Sequence, residues 1–147
     1  MTTWVLVADG ARARIFSAEQ STSVLNELEG LVHSKSRQHE HKLTSDLPGR
    51  QAGGSAASHH SVGNEGNIKE NETVVFAKEL SRRLDAAQRE GKFRRLIVVA
   101  APAFLGHLRQ EMSSKVSNLV SHELDKNIVN LDATLIREHL PKHFSSN

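Results

Sequence analysis

The sequence predicts a single α/β domain in which helices pack against a mixed five-stranded sheet. Three observations predict this class: short apolar and alternating runs fill the first third of the chain, helical periodicity begins after a glycine-rich stretch, and an unbroken apolar run lies between two helical patterns. The 147 residues are enough to bury the core of one domain. Because the chain contains no cysteine, disulfides, thiol chemistry and cysteine-ligated zinc are excluded.

Three strands come first. The run "TWVLVADG" ends in a turn signal, Asp9-Gly10, and "ARARIFSA" follows at once, so the two runs predict a hairpin. The stretch "TSVLNELEGLVHS" alternates apolar and polar residues less regularly and predicts a third strand.

The period changes after the glycine-rich stretch. Asn67 and Glu70 have the spacing of a capping box and predict a helix that runs from Asn67 to Gly91. The next apolar run, "RRLIVVAA", is too short for a helix and predicts a strand that is buried on both faces. The predicted apolar face of the helix consists of Phe76, Leu80, Leu84 and Ala87.

Two more helices and one more strand complete the chain. Pro102 suits the first turn of a second helix, which is predicted to bend near Ser113-Ser114. The run "KNIVNL" predicts the last strand, and Asp132 or Thr134 is expected to cap a closing helix. The resulting order, βββ-loop-αβαβα, is that of ribonuclease-H-like folds. The inward-facing residues of the two helices are predicted to be Leu105, Leu108, Met112, Val116 and Leu119, then Leu135, Ile136, Leu140 and Phe144.

Residues 35–66 are predicted to form a long loop, rich in glycine, serine and histidine, between the third strand and the first helix. Glycines permit the backbone to approach a phosphate closely, and arginines supply positive charge. A flexible surface segment that meets no ligand is the alternative. The predicted RNA or phosphate contacts in this loop are Arg37, Pro48, Gly49, Arg50, Gly53 and Gly54.

A second set of candidate phosphate contacts lies at the end of the first helix. Arginine or lysine occupies six positions between 82 and 95, where Asp85 and Glu90 are the only acids. The cluster predicts a phosphate-facing patch that contains Arg82, Arg83 and Arg89; cations that offset the helix dipole are the alternative. The formal net charge of +2 does not decide between the two.

No metal ion or cofactor is predicted. Asp9 follows the first strand, where some nucleases of this fold class hold a metal, but only Asp132 lies at an equivalent strand end, so Asp9 is predicted to form the turn. His107 is predicted to lie on a helix surface. Four histidines in the loop offer a weaker zinc or nickel alternative, with Glu40 or Asp46 as an oxygen ligand, although their spacing matches no structural zinc site. They are His39, His41, His59 and His60.

Four segments carry a resemblance to a known family. In chain order they are "VLVADGARARIF", "SDLPGRQ", "AAPAFLGHLR" and "ELDKNIVNLDATLIREHL". Together they resemble the bacterial "protein required for attachment to host cells" family over almost the whole chain. That family is in turn similar to the middle domain of archaeal and eukaryotic class I translation release factors, which has a ribonuclease-H-like architecture. The resemblance implies a protein that acts at or near the ribosome, on a tRNA end or another RNA.

The same resemblance bears on catalysis. In release-factor middle domains, a glycine-rich loop carries a Gly-Gly-Gln motif that places water for ester hydrolysis. Here Ser55 follows Gly53-Gly54, and Gln51 precedes the pair, so the motif is not reproduced. Gln51 is therefore the one catalytic candidate that the resemblance implies, and it belongs to the alternative in which the protein hydrolyses peptidyl-tRNA or a phosphodiester.

The favoured prediction is a module that binds ribosome, tRNA or another RNA, with no catalysis or only weak catalysis. A protein–protein adaptor whose loop orders on a partner is a third alternative. The apolar run Trp4–Ala8 is followed by Asp9, Arg12 and Arg14, which fits neither a signal peptide nor a membrane span. A cytoplasmic location without membrane contact is therefore expected.

Overall fold

The structure is a computed structural model that describes residues 2–19, 24–33 and 55–144, with side chains from residue 71 onward in the last range. The five strands form one sheet in the order β3-β2-β1-β4-β5. This mixed sheet with interleaved helices confirms the predicted ribonuclease-H-like class. The elements are β1 (Thr3–Ala8), β2 (Arg12–Ala18), β3 (Asn26–Val32), α1 (Ser55–Arg89), β4 (Arg95–Ala100), α2 (Pro102–Glu111), α3 (Ser114–Ser117), β5 (Val120–Leu124) and α4 (Ala133–His139).

Strand direction brings four strand ends to one side of the sheet. β2 pairs antiparallel with both β1 and β3, whereas β4 is parallel to β1 and to β5. Therefore β1, β3, β4 and β5 all run the same way. Their C-terminal ends meet along one side, which we call the carboxyl edge; the opposite side is the amino edge.

Both faces of β1 and β4, at the centre of the sheet, are buried, which explains the unbroken apolar runs of these two strands. Alternate residues of these strands face α1, α2 and α3, and the others face α4 and the segment before it. On the first face, Leu6 and Val98 belong to one core with Phe76, Leu80 and Leu108. The core on the second face contains Val5, Phe16, Ile97, Val99, Ile128, Val129, Ile136, Leu140 and Phe144.

Helix α1 is longer than predicted. It begins at Ser55, twelve residues before Asn67, so residues 55–66 are helical and the predicted end of the loop at residue 66 was wrong. These residues carry no apolar periodicity, and a helix already formed extends without a new nucleation cost. The other end agrees with the prediction: α1 stops at Arg89, and Gly91 adopts a φ of 72°.

The second half of the chain confirms the predicted helix starts, but the prediction that Leu135 faces inward was wrong, since Leu135 is 43% exposed. Pro102 occupies the first turn of α2. The expected bend is a break, in which α2 ends at Glu111 and Ser113 caps α3 by accepting a hydrogen bond from the backbone of Val116. Of the two predicted caps of the closing helix, Asp132 is the one used, since its Oδ1 accepts from the backbone N of Leu135 at 2.9 Å.

The prediction that "KNIVNL", residues 126–131, forms the last strand was wrong. β5 is Val120–Leu124, in which half-buried and exposed residues alternate. Ile128 and Val129 are buried in the second core instead, without strand pairing. Two backbone carbonyls of this segment are bound by Arg14 and not by a neighbouring strand: Nη1 of Arg14 donates to the carbonyl of Val129, at 2.8 Å, and to that of Leu131.

In the part of the chain that the structure describes, no helix combines the length and the apolar character that a membrane crossing requires.

Candidate functional site at the carboxyl edge

The β1–β2 turn forms the centre of the carboxyl edge. Oδ1 of Asp9 accepts hydrogen bonds from the backbone N atoms of Ala11 and Arg12, both at 2.9 Å. The carboxylate therefore forms the turn, as the sequence predicted. Across residues 2–19, 24–33 and 71–144, no group of three or more His, Cys, Asp or Glu side chains is arranged to hold a metal ion.

Helix α1 passes very close to this turn. A Cβ atom placed on Gly10 would lie 3.2 Å from both Cγ2 and Oγ1 of Thr73, which is tighter than an ordinary contact. Glycine is thus what allows Thr73 to approach the turn. At the other end of the helix, the ring of Phe93 stacks on Trp4 at 5.0 Å, and the backbone N of Arg94 donates to Thr2.

These contacts establish the direction of α1 relative to the sheet. It runs antiparallel to β1, from the carboxyl edge at Thr73 to the amino edge near Trp4. At a rise of about 1.5 Å per residue, the eighteen residues from Ser55 to Glu72 extend roughly 27 Å further along the helix axis. In the chain, segment 34–54 connects His33, at the end of β3, to Ser55, at the start of this extension.

His33 is the residue from which that segment departs. It is 5% exposed, its Nε2 lies 2.7 Å from Oε2 of Glu72, and its Nδ1 lies 3.6 Å from Oε1 of Glu79. The ring also stacks on Phe76 at 5.3 Å, and the backbone N donates to Ala11 at 2.9 Å. With both ring nitrogens facing carboxylates, His33 is a structural connection between β3, the turn and α1.

Sequence reasoning assigned no role to His33. The available signal was on α1, where Glu72 and Glu79 are seven residues apart and lie one turn before and one turn after the buried Phe76; Glu72 is half-buried and Glu79 is exposed. Two acids beside the buried stripe of a helix indicate that a polar partner is buried with them.

Most of the predicted loop contacts lie outside the described residues. This applies to the candidate catalytic residue Gln51 and to two of the four histidines, His39 and His41. The other two, His59 and His60, fall within helix α1. The predicted phosphate contacts outside the described residues are Arg37, Pro48, Gly49, Arg50, Gly53 and Gly54.

The basic cluster on α1 lies apart from the carboxyl edge. Arg82 is nine residues, or about 14 Å along the helix, from Thr73, and Arg89 is the last helical residue. Arg83 pairs with Glu29 at 3.5 Å and Arg89 with Asp85 at 3.1 Å, whereas Arg82 makes no ion pair with the side chains that the structure describes. Of the three predicted basic contacts on α1, Arg82 is therefore the one without an ion pair among the described side chains.

His107 lies on α2, as predicted, and its side chain is half-buried.

Comparison with known proteins identifies the family. No curated protein matches the chain significantly. Among solved structures, the archaeal translation termination factor aRF1 has 12% identity and a TM-score of 0.51, and the match covers 96% of this chain and 35% of that protein. The Ppx/GppA phosphatase of Aquifex aeolicus has 17% identity and a TM-score of 0.37, with 84% and 35% covered. The chain thus spans about a third of the length of either protein.

The likeness to the termination factor concerns the fold alone, at this level of identity. The family model described as "Protein required for attachment to host cells" matches residues 4–140, which is most of the chain, and the protein therefore belongs to this family.

Proposed function

We propose that this protein is a module that binds the ribosome, tRNA or another RNA, and that segment 34–54 makes the contact. The observation that carries the proposal is the close approach of Thr73 to Gly10 beside the buried His33–Glu72 contact. Together these contacts fix the departure point of the segment and the direction of the helix that follows it. In open α/β sheets, ligands bind outside the C-terminal ends of the strands, which is where this segment is attached.

The chemistry of the segment suits a sugar-phosphate chain. The segment contains Gly49, Gly53 and Gly54, a residue type without a side chain to keep phosphate oxygens from the backbone, and Arg37 and Arg50 carry positive charge. The likeness to a translation termination factor supports translation as the setting and the cytoplasm as the location. The hydrolytic alternative depends on Gln51 or on a histidine of the predicted loop to position water, and no contact among the described residues favours it.

Ribosome co-sedimentation and binding of labelled tRNA at about 50 and about 200 mM salt test the proposal. We expect binding to weaken with salt, and the double variant Arg37→Ala, Arg50→Ala to weaken it further and reduce the salt slope by about two. Arg109→Ala is the matched control, because Arg109 belongs to none of the predicted RNA contacts and is paired with Glu123 at 2.7 Å. Equal binding by the double variant and the parent protein would refute the proposal, and turnover of peptidyl-tRNA that Gln51→Ala abolishes would favour the enzyme.

A further inference from the structure

A groove with an apolar floor lies between β3 and α1. Its volume is about 450 Å³, within the range of roughly 300–1,000 Å³ that small-molecule sites occupy. Phe76 and Leu80 form the deep part of the floor, and both are at most 2% exposed. Leu31 and Ala86 are half-buried above them, so their side chains are the apolar surface that a bound molecule would cover.

The rim of the groove carries three charged side chains, of which two are already engaged. Arg83 pairs with Glu29 at 3.5 Å, and Glu79 faces Nδ1 of His33 at 3.6 Å. Arg82 has no carboxylate partner among the described side chains and lies on the exposed side of α1. The charge that remains to be satisfied at this rim is therefore positive.

A second, smaller cleft also borders Arg82, but it is less suited to an anion. Its volume is about 240 Å³, and it is lined by the carboxylates of Asp85 and Glu111 as well as by Lys78. Asp85 there accepts a hydrogen bond from Ser113 at 2.9 Å and pairs with Arg89. Two carboxylates would repel a bound anion, so the groove on the β3 side is the place where an anion can meet Arg82 together with an apolar surface.

We propose that the groove binds a small organic anion with an aliphatic or aromatic body. The body covers Leu31 and Ala86, and a carboxylate, sulfonate or phosphate group pairs with the guanidinium of Arg82. Arginine suits this role because its planar fork can donate two parallel hydrogen bonds to such a group. The proposal does not depend on segment 34–54, since none of the residues of the groove belongs to it.

Titration with anilinonaphthalene sulfonate, a fluorescent aromatic anion, tests the site, with uncharged phenylnaphthylamine as the matched probe. We expect one saturable site for the sulfonate. Arg82→Gln should weaken sulfonate binding about tenfold and leave the uncharged probe nearly unaffected, because only the charge-assisted contact is lost. Ala86→Leu fills the groove and should weaken both probes. Arg89→Gln, outside the groove, is the control and should change neither.

The proposal is overturned if Arg82→Gln and Ala86→Leu both bind the sulfonate as the parent protein does. Amide chemical-shift mapping on the unmodified chain provides a second measurement that does not depend on variant folding: shifts should centre on Leu31 and Ala86, and shifts confined to other surfaces would also overturn it. Displacement of the sulfonate by octanoate and by octyl phosphate then distinguishes a carboxylate from a phosphate ligand.

Discussion

Nε2 of His33 lies 2.7 Å from Oε2 of Glu72, and this contact joins the end of β3 to α1. The two residues are 39 positions apart, and the whole glycine-rich segment lies between them. Because His33 is 5% exposed and also stacks on Phe76, the ring is held against the helix from two directions. The residue that precedes segment 34–54 is therefore held in a fixed position by its contacts with α1.

Removal of this connection should destabilise the fold. We expect His33→Ala to lower the free energy of unfolding by about 3 kcal/mol, because a hydrogen bond to a charged group contributes about 1.5–3 kcal/mol and a stacked ring pair about 0.5–1.5 kcal/mol. Urea denaturation at one fixed pH measures the change. His107→Ala on α2 is the control, with an expected loss below about 0.5 kcal/mol. Similar losses in the two variants would show that the His33–Glu72 contact contributes little to the free energy of unfolding.

The close approach of Thr73 to Gly10 predicts that Gly10→Ala lowers stability in the parent chain and raises it when Thr73 is replaced by alanine. In the parent chain, Gly10→Ala places Cβ 3.2 Å from Thr73, whose branched side chain has little rotamer freedom, so we expect a loss of about 1 kcal/mol. In a Thr73→Ala background the contact is gone, and Gly10 has no left-handed φ. The same change should then stabilise by about 0.5 kcal/mol, since alanine restricts the unfolded chain.

Thermal and urea unfolding of the four chains in this cycle measure the coupling between the two positions. A destabilising Gly10→Ala in both backgrounds would mean that something other than Thr73 requires the glycine.

The ion pair between Arg14 and Glu27 predicts a pH dependence of stability. Hydrogen bonds from Arg14 hold the pKa of Glu27 below its ordinary value of 4.5, and the same contact raises the pKa of Arg14. A carboxyl group with a lowered pKa stabilises the fold above its unfolded pKa, and that contribution disappears as the pH falls through the folded pKa. The contribution is modest, at most about 1 kcal/mol, because Glu27 is 40% exposed.

The measurement is the difference in unfolding free energy between the parent chain and Glu27→Gln, taken at several pH values. We expect the parent chain to be the more stable at pH 7 and the two curves to converge below about pH 4. A difference that persists unchanged into acid would assign the effect to packing of the side chain and not to its charge.

The parts of the fold that could be predicted from the sequence are those set by local patterns. β1 and β4 were visible because both of their faces are buried, and Asp132 and Pro102 were visible because helix starts have fixed residue preferences. The last strand was misplaced because Ile128 and Val129 are apolar for another reason. They fill the second core from an irregular segment whose carbonyls bind Arg14, more than a hundred residues away.

The candidate site depends still more on distant contacts. Local periodicity does not indicate that α1 continues to Ser55, nor that His33 pairs with Glu72. The sequence did predict a cluster of arginines on α1, but only the side-chain geometry separates the paired Arg83 and Arg89 from Arg82.

Two glycines, one just after α1 and one inside α2, should change the free energy of unfolding in opposite directions when each is replaced by alanine. Gly91 follows α1 with a φ of 72°, a conformation that strains any residue with a Cβ, so Gly91→Ala should cost about 1 kcal/mol. Gly106 lies inside α2, where a Cβ would meet nothing within 4 Å, so Gly106→Ala should stabilise by up to about 1 kcal/mol through helix propensity. Urea unfolding of the two variants tests the pair. A loss of stability in Gly106→Ala would contradict the open space at that position, and a neutral Gly91→Ala would mean that the end of α1 can relax into another turn.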